Sequence, residues 1–318
     1  MLQQNTLLAA GARMVLFILG LAAASTTWAQ YPDRPITLIV PWPAGGPSDA
    51  SIRSLASAAE KYLGQPVIVL NKPGANATIG MAQLTQSKPD GYTIGLYNTA
   101  TYMVPLTGTA VPYDPIKSFS FISYFGDNLA GIVVRNDAKW QTLNELIEDG
   151  KKAPDKISFG HPGDLTTETL MVHALEKHSG AQFLAVPYTG AAPALVALLG
   201  GHVDFITGPS SWAPYVAKGE LRVLAVSSPT RAKSLPNVPT LSELGIPYMR
   251  SINALAGPAG IPEPERAKLE AAFRLAAKSE RFIDTMDTLR MSPVDMSGAQ
   301  TKQAIEAERD KAQQFLGK

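Results

Sequence analysis

The rhythm of hydrophobic and polar positions changes repeatedly along this chain. Short β-branched runs alternate with longer stretches whose apolar residues recur every three or four positions. Ile36-Thr37-Leu38-Ile39-Val40 is the first compact run, closed by Pro41. Beyond it, Ile52, Leu55, Ala56, Ala59 and Leu63 share one face of a helix expected over 48–63. Strands are expected at 67–70 and 93–97, with a helix over 77–87 between them. Two more, at 119–125 and 132–135, are joined by the polar turn Gly126-Asp127-Asn128. A second series then reads helix 143–152, strand 157–159, helix 165–179, and strands 184–187, 205–207 and 223–226, with helices 192–199 and 212–218. The last seventy residues are largely helical, over 264–278, 281–289 and 300–315. Strands alternating with helices imply mostly parallel sheets with covered faces, an α/β fold.

Length and the N-terminus refine this picture. At ~100–200 residues per domain, 318 residues suggest two domains, each able to bury its own core. Lobe 1 is expected over 30–130 plus 253–318, and lobe 2 over 131–252. The chain would cross between them near 129–131 and 252–255, so that the helical tail packs back on lobe 1. Ahead of both lobes, Arg13 precedes the apolar run Met14 to Ala24, and the stretch ends in Thr27-Trp28-Ala29. That pattern predicts a secretory signal peptide over 1–29, cleaved after Ala29. The run falls short of the ~20 apolar residues of a membrane span. With no Cys in the chain, a lipoprotein anchor is excluded. No other segment is long and apolar enough to span, so an exported, soluble, monomeric protein is expected.

Composition narrows the chemistry. Only 17% of residues are charged and the net charge is +1, which loss of Arg13 with the signal would bring to zero. Nucleic acid is a poor partner without a basic excess. The lack of Cys removes disulfides, thiolate metal sites and Cys nucleophiles. His173 and His178 are five apart and point to different helix faces, so no zinc pair forms. Ser48, Ser51 and Ser210 lack a Gly-x-Ser-x-Gly context, and no acid/base pair stands out. The reading is therefore no catalytic residues, no metal and no cofactor: a binding protein rather than an enzyme.

Two strand-to-helix loops are the candidate binding elements. The first is Trp42-Pro43-Ala44-Gly45-Gly46-Pro47-Ser48-Asp49. Its glycines admit positive φ and close approach of a ligand, Ser48 reads as an N-cap, and exposed amides at a helix start attract anions. Trp42 adds an apolar plate suited to an organic acid. The second is Gly160-His161-Pro162-Gly163-Asp164-Leu165-Thr166-Thr167, which also leads from a strand into a helix. One such loop per lobe would face the other across a cleft beyond the strand ends. Pro47 and Pro162 remove amide donors. Asp164 brings negative charge, and reads as the N-cap of its helix, with direct ligand contact as the alternative.

These residues and others resemble, in order, the tripartite tricarboxylate transporter receptors, also called the Bug family. The resemblance runs through Ile39-Val40-Pro41-Trp42-Pro43-Ala44-Gly45-Gly46, Asn71-Lys72-Pro73-Gly74, Pro89-Asp90-Gly91-Tyr92-Thr93 and Tyr113-Asp114-Pro115. It continues through Val186-Pro187-Tyr188-Thr189-Gly190, Leu199-Gly200-Gly201 with Val203-Asp204, and Pro236-Asn237-Val238-Pro239-Thr240. It implies a two-lobed periplasmic binding protein fold with the ligand cleft between the lobes. It also implies delivery of a small organic acid to a two-component membrane permease, with the carboxylate held by backbone amides and ordered water. The ligand-facing set then extends to Asn98, Thr99, Thr189 and Asp204.

Departures fall on that set: His161-Pro162-Gly163-Asp164 replaces the usual small polar residues, Trp42 the usual Phe, and Asn98 to Tyr102 lacks the usual His. They point to a larger or aromatic acid stacked near Trp42, with terephthalate one candidate; aliphatic dicarboxylates and amino acids stay open. A receptor that hands its closed form to a membrane sensor is the competing function, and a secreted enzyme the more remote one.

Overall fold

A computed structural model describes residues 31–163, 166–228, 231–232 and 234–316. The signal peptide expected over 1–29 lies outside the described residues. Contacts separate Met1–Asp33 from Arg34–Lys318, and the fold below is that of the second unit. Its strands are β1 (Ile36–Val40), β2 (Val67–Asn71), β3 (Thr93–Asn98), β4 (Phe119–Asn128), β5 (Ala130–Arg135), β6 (Ser158–His161), β7 (Leu184–Pro187), β8 (Phe205–Pro209), β9 (Leu221–Val226), β10 (Ser251–Pro258) and β11 (Ser292–Ser297). They form two sheets, ordered β11-β4-β10-β3-β1-β2 and β7-β6-β8-β5-β9. Parallel pairs β1–β2 and β1–β3, and β6–β7 and β6–β8, make the parallel part of each sheet. Antiparallel β10, β4 and β11 complete the first sheet, and antiparallel β5 and β9 the second.

Apart from the one over Thr99–Leu106, the helices follow their sequence patterns. Helix α1 (Pro47–Leu63) buries Ile52, Leu55, Ala56, Ala59 and Leu63, the face read from spacing. It ends where Gly64, at φ 72°, turns left-handed and donates its amide to Glu60 O at 2.8 Å. After α2 (Thr78–Thr85), α3 (Thr99–Leu106) and α4 (Leu143–Lys152) come α5 (Thr167–Ser179), α6 (Ala191–Leu199) and the short α7 (Ala213–Ala217). Tail helices α8 (Glu263–Ala276), α9 (Glu280–Thr288) and α10 (Gly298–Leu316) pack on the first sheet, burying Phe273, Phe282 and Ile305. The second sheet is packed on both faces. Phe159, stacked 5.4 Å from Phe205, belongs to one core, and Trp212 with Val133 and Ile206 to the other.

Three expectations need correction. Gly126-Asp127-Asn128 is no turn: it continues β4 and pairs with Asn253, Ile252 and Ser251 of β10. Glycine suits the position of Gly126 because an added Cβ would sit 3.0 Å from the backbone Ser292 O, besides displacing the movable end of Met286. Strand β10 occupies the stretch read as a crossing. All eight of its residues are buried, so no alternation marks it in the sequence. Helix α3, with Pro105 inside it, and the exposed edge strand β11, with Pro293, also lacked a periodic signal. The chain passes between the sheets at Leu129 and again before Ser251. On the second passage Ile246 packs with the second core and Met249 with the first.

Candidate functional site

A cavity of about 330 Å³ opens where strand ends of both sheets meet, bounded by Trp42 to Asp49 on one side and by Thr166 to Glu168 and Thr189 to Pro193 on the other. Four helices begin on it. Their N-cap positions are Gly46 for α1, Asn98 for α3, Thr166 for α5 and Gly190 for α6, and each of these lines the wall. The first amides of a helix have no intrahelical acceptor, and the helix dipole makes that end positive. Among the described residues no Lys or Arg lines the cavity. The site therefore attracts anions through amides and helix ends, and Trp42 and several Pro and Ala residues supply apolar surface for a carbon skeleton.

The first loop is held by a carboxylate. Asp49, only 3% exposed, accepts from Gly45 N at 2.9 Å, Arg53 Nε at 3.0 Å and Asn71 Nδ2 at 2.8 Å. Burial alone would raise its carboxyl, but Arg53, the Gly45 amide and Asn71 outweigh that and hold it below its ordinary range. Asn71 also donates to Trp42 O at 3.0 Å, so one amide side chain ties both ends of the loop. Asp49 thus lines the cavity while spending both its oxygens on protein donors. Ser48 is not the N-cap expected of it. The helix starts one residue earlier, at Pro47, and the Ser48 hydroxyl donates to Asn253 Oδ1 at 3.2 Å.

The second loop divides. Thr166 and Thr167 line the cavity, and Thr166 caps α5 by accepting from Thr169 N at 3.4 Å, the role expected of Asp164. Asp164 lies outside the described residues. Gly160 and His161 are not on the cavity wall. Gly160 sits beneath Tyr188, whose Cε2 would be 3.1 Å from an added Cβ, and buried His161 packs its ring 5.3 Å from Phe159. Gly163 is also off the wall and faces the other lobe, where Asn76 Oδ1 would stand 2.8 Å from an added Cβ. Asp204 is a structural residue: its Oδ2 accepts from Ser158 N at 2.8 Å and Ser158 Oγ at 2.9 Å.

Of the remaining expected positions, Pro43, Ala44, Gly46, Asn98, Thr99 and Thr189 line the cavity. Sequence reading missed Asn128, Ser251, Ser211 and Glu168, and the start of α6 at Gly190 to Pro193. Asn128 and Ser251 lie at the passages between the sheets, where a short polar residue carries no motif. A glycine before an Ala-Ala-Pro helix start was a usable signal for α6. Glu168 is 5% exposed, and burial is the chief cause that pushes its carboxyl above its ordinary range. Among the described residues no group of three or more His, Asp or Glu could hold a metal, and no helix is long and apolar enough to cross a membrane.

Comparison with known proteins gives a consistent result. Residues 51–318 match the family described as "Tripartite tricarboxylate transporter family receptor". A UPF0065 protein in the gbd 5′ region of Cupriavidus necator is 37% identical over 297 residues, 92% of this chain and 90% of that one. Among solved structures, a solute-binding protein from Polaromonas is 34% identical, covers 90% of this chain and 99% of its own, and superposes with a TM-score of 0.73. The periplasmic binding protein BugD is 30% identical, with a TM-score of 0.82 over 90% of this chain and 98% of its own.

Proposed function

The chain belongs to the tripartite tricarboxylate transporter receptor family, a family of binding receptors rather than enzymes, and we propose that it captures a small organic acid in the periplasm for a two-component permease of that type. The observation that carries this reading is the set of four helix N-termini, drawn from both lobes, opening on one cavity that no Lys or Arg lines among the described residues. Such a site recognises a carboxylate through oriented backbone dipoles. A volume of about 330 Å³ suits a compact acid, and Trp42 on the wall supports an aromatic or otherwise flat skeleton, terephthalate among them.

The test is a thermal-shift and calorimetric screen of the mature chain against aliphatic and aromatic carboxylates. A ligand at 100 times its Kd stabilises the folded state by ~2.7 kcal/mol, a clear rise in Tm. Failure of every carboxylate to raise Tm would overturn the reading. Co-purification of the liganded protein with a permease of this type separates transport from a signalling role.

A further inference from the structure

Glu168 is the one feature of the cavity that a plain carboxylate receptor does not need. It stands in the first turn of α5, and its carboxyl accepts from the Thr167 hydroxyl at 3.1 Å. The other groups acting on it are the Thr166 hydroxyl and its own amide, and none is a cation. This contrasts with Asp49 across the cavity, whose charge is answered by Arg53. A carboxylate in a buried wall with no cation beside it is strongly disfavoured, and is relieved either by taking up a proton or by a ligand that brings the positive charge.

A second observation lies on the same wall. Asn128, only 9% exposed, donates through Nδ2 to Ser251 Oγ at 3.2 Å, and its Oδ1 has no partner among the described residues. Asn98, 6% exposed, leaves Nδ2 without an acceptor. The cavity therefore presents a carboxylate with hydroxyl and amide donors but no cation, Glu168, and an acceptor without a donor among the described residues, Asn128 Oδ1, besides the donors formed by Asn98 Nδ2 and the helix amides. A dicarboxylate ion brings acceptors only. A hydroxyl brings one donor and no charge. An ammonium brings three donors and the missing positive charge.

The geometry points to Glu168, with Asn128, as a subsite for a cationic amine, so that the ligand is an amino-carboxylate. Its carboxylate would sit at the starts of α1, α3 and α6 and its ammonium against Glu168. This rests on the receptor reading above and specifies the class of acid. It also accounts for a wall with no Lys or Arg among the described residues: a zwitterion needs oriented dipoles at one end and, at the other, an acid that no protein cation already answers.

The experiment is isothermal calorimetry on the mature chain and on Glu168→Gln, with matched probes that differ at one end. The pairs are glutarate against 4-aminobutanoate, glutarate against L-glutamate, and terephthalate against 4-(aminomethyl)benzoate. The wild type is expected to bind the amine member at least tenfold more tightly in one or more pairs, and Glu168→Gln to erase that preference. Should Glu168→Gln not fold, Glu168→Asp, which keeps the charge but withdraws it by one methylene, is expected to weaken the preference. Dicarboxylates bound as tightly as their amine partners would overturn the subsite and leave the receptor reading standing. So would a preference that survives the substitution. Binding of neither member of any pair, nor of any other carboxylate, would overturn both.

Discussion

Asp127, at the end of β4, and Arg250, just before β10, are joined across the two passages between the lobes: Nη2 and Nε of the arginine both reach Asp127 Oδ2, at 2.6 and 2.9 Å. The Tyr124 hydroxyl donates to the other carboxylate oxygen. Burial raises the Asp127 carboxyl, and Arg250 opposes that rise. Thr99 of the cavity wall donates to Arg250 O at 2.9 Å and accepts from Ile252 N at 2.9 Å. The pair thus ties the two passages together directly behind the cavity wall. Removing one partner of a largely buried pair leaves the other uncompensated. Arg250→Met is expected to cost about 3 kcal/mol in urea unfolding, and Asp127→Asn combined with it to recover part of that loss. Additive losses in the double variant would argue that the two do not act as a pair.

Gly46 offers a clean probe of the helix-end reading. Its φ of −78° is open to any residue, and an added Cβ would meet nothing nearer than Pro43 O at 4.0 Å. Gly46→Val is therefore expected to change stability by no more than about 0.5 kcal/mol while abolishing binding at the start of α1. Calorimetry that finds retained affinity would place the carboxylate elsewhere.

Trp42 is half-buried on the cavity wall, whereas Trp212 is fully buried in the second lobe and Trp140 donates to Asp149. A ligand that stacks on Trp42 is expected to shift tryptophan emission, and Trp42→Phe to remove that shift. An unaltered change in the variant would rule out stacking.

Glu168 carries a pH dependence whose sign is set by its surroundings. Burial raises its carboxyl in the folded state, so the folded protein binds that proton more tightly than the unfolded chain. The associated stability is complete below the unfolded value and is lost as pH rises through the folded one. The unliganded wild type is expected to lose Tm relative to Glu168→Gln as pH climbs from about 4 to about 8. A difference that stays flat over that range would contradict the shift.

Much of the architecture was legible because it rests on periodicity. The α1 face and the β1 run follow from spacing alone, and so did the loop from Trp42 to Asp49. What escaped depends on tertiary context. Strand β10 is buried throughout and therefore looks like any apolar segment, and Gly126 looks like a turn although it lies within β4, close against the Ser292 backbone. At the site, both loops read from the sequence border the cavity, the first through Trp42 to Asp49 and the second through Pro162, Thr166 and Thr167. Gly160, His161 and Asp204 face the protein interior or a neighbouring strand instead. Glu168 was invisible because an acid in the first turn of a helix is ordinary until its burial is known.

The position of β10 between β4 and β3 has a consequence for the order of assembly. Until residues 251–258 are available, the first sheet is in two pieces, β1 to β3 and β4, with nothing to join them. The second sheet is drawn entirely from one uninterrupted stretch, between Ala130 and Val226, and each of its pairings is closer in sequence than those that β10 makes with β4 and β3. Shorter loops close sooner. The lobe in the middle of the chain is thus the one to complete its sheet first, and pulse-labelled amide exchange during refolding should find β5, β6 and β8 protected before β4 and β10.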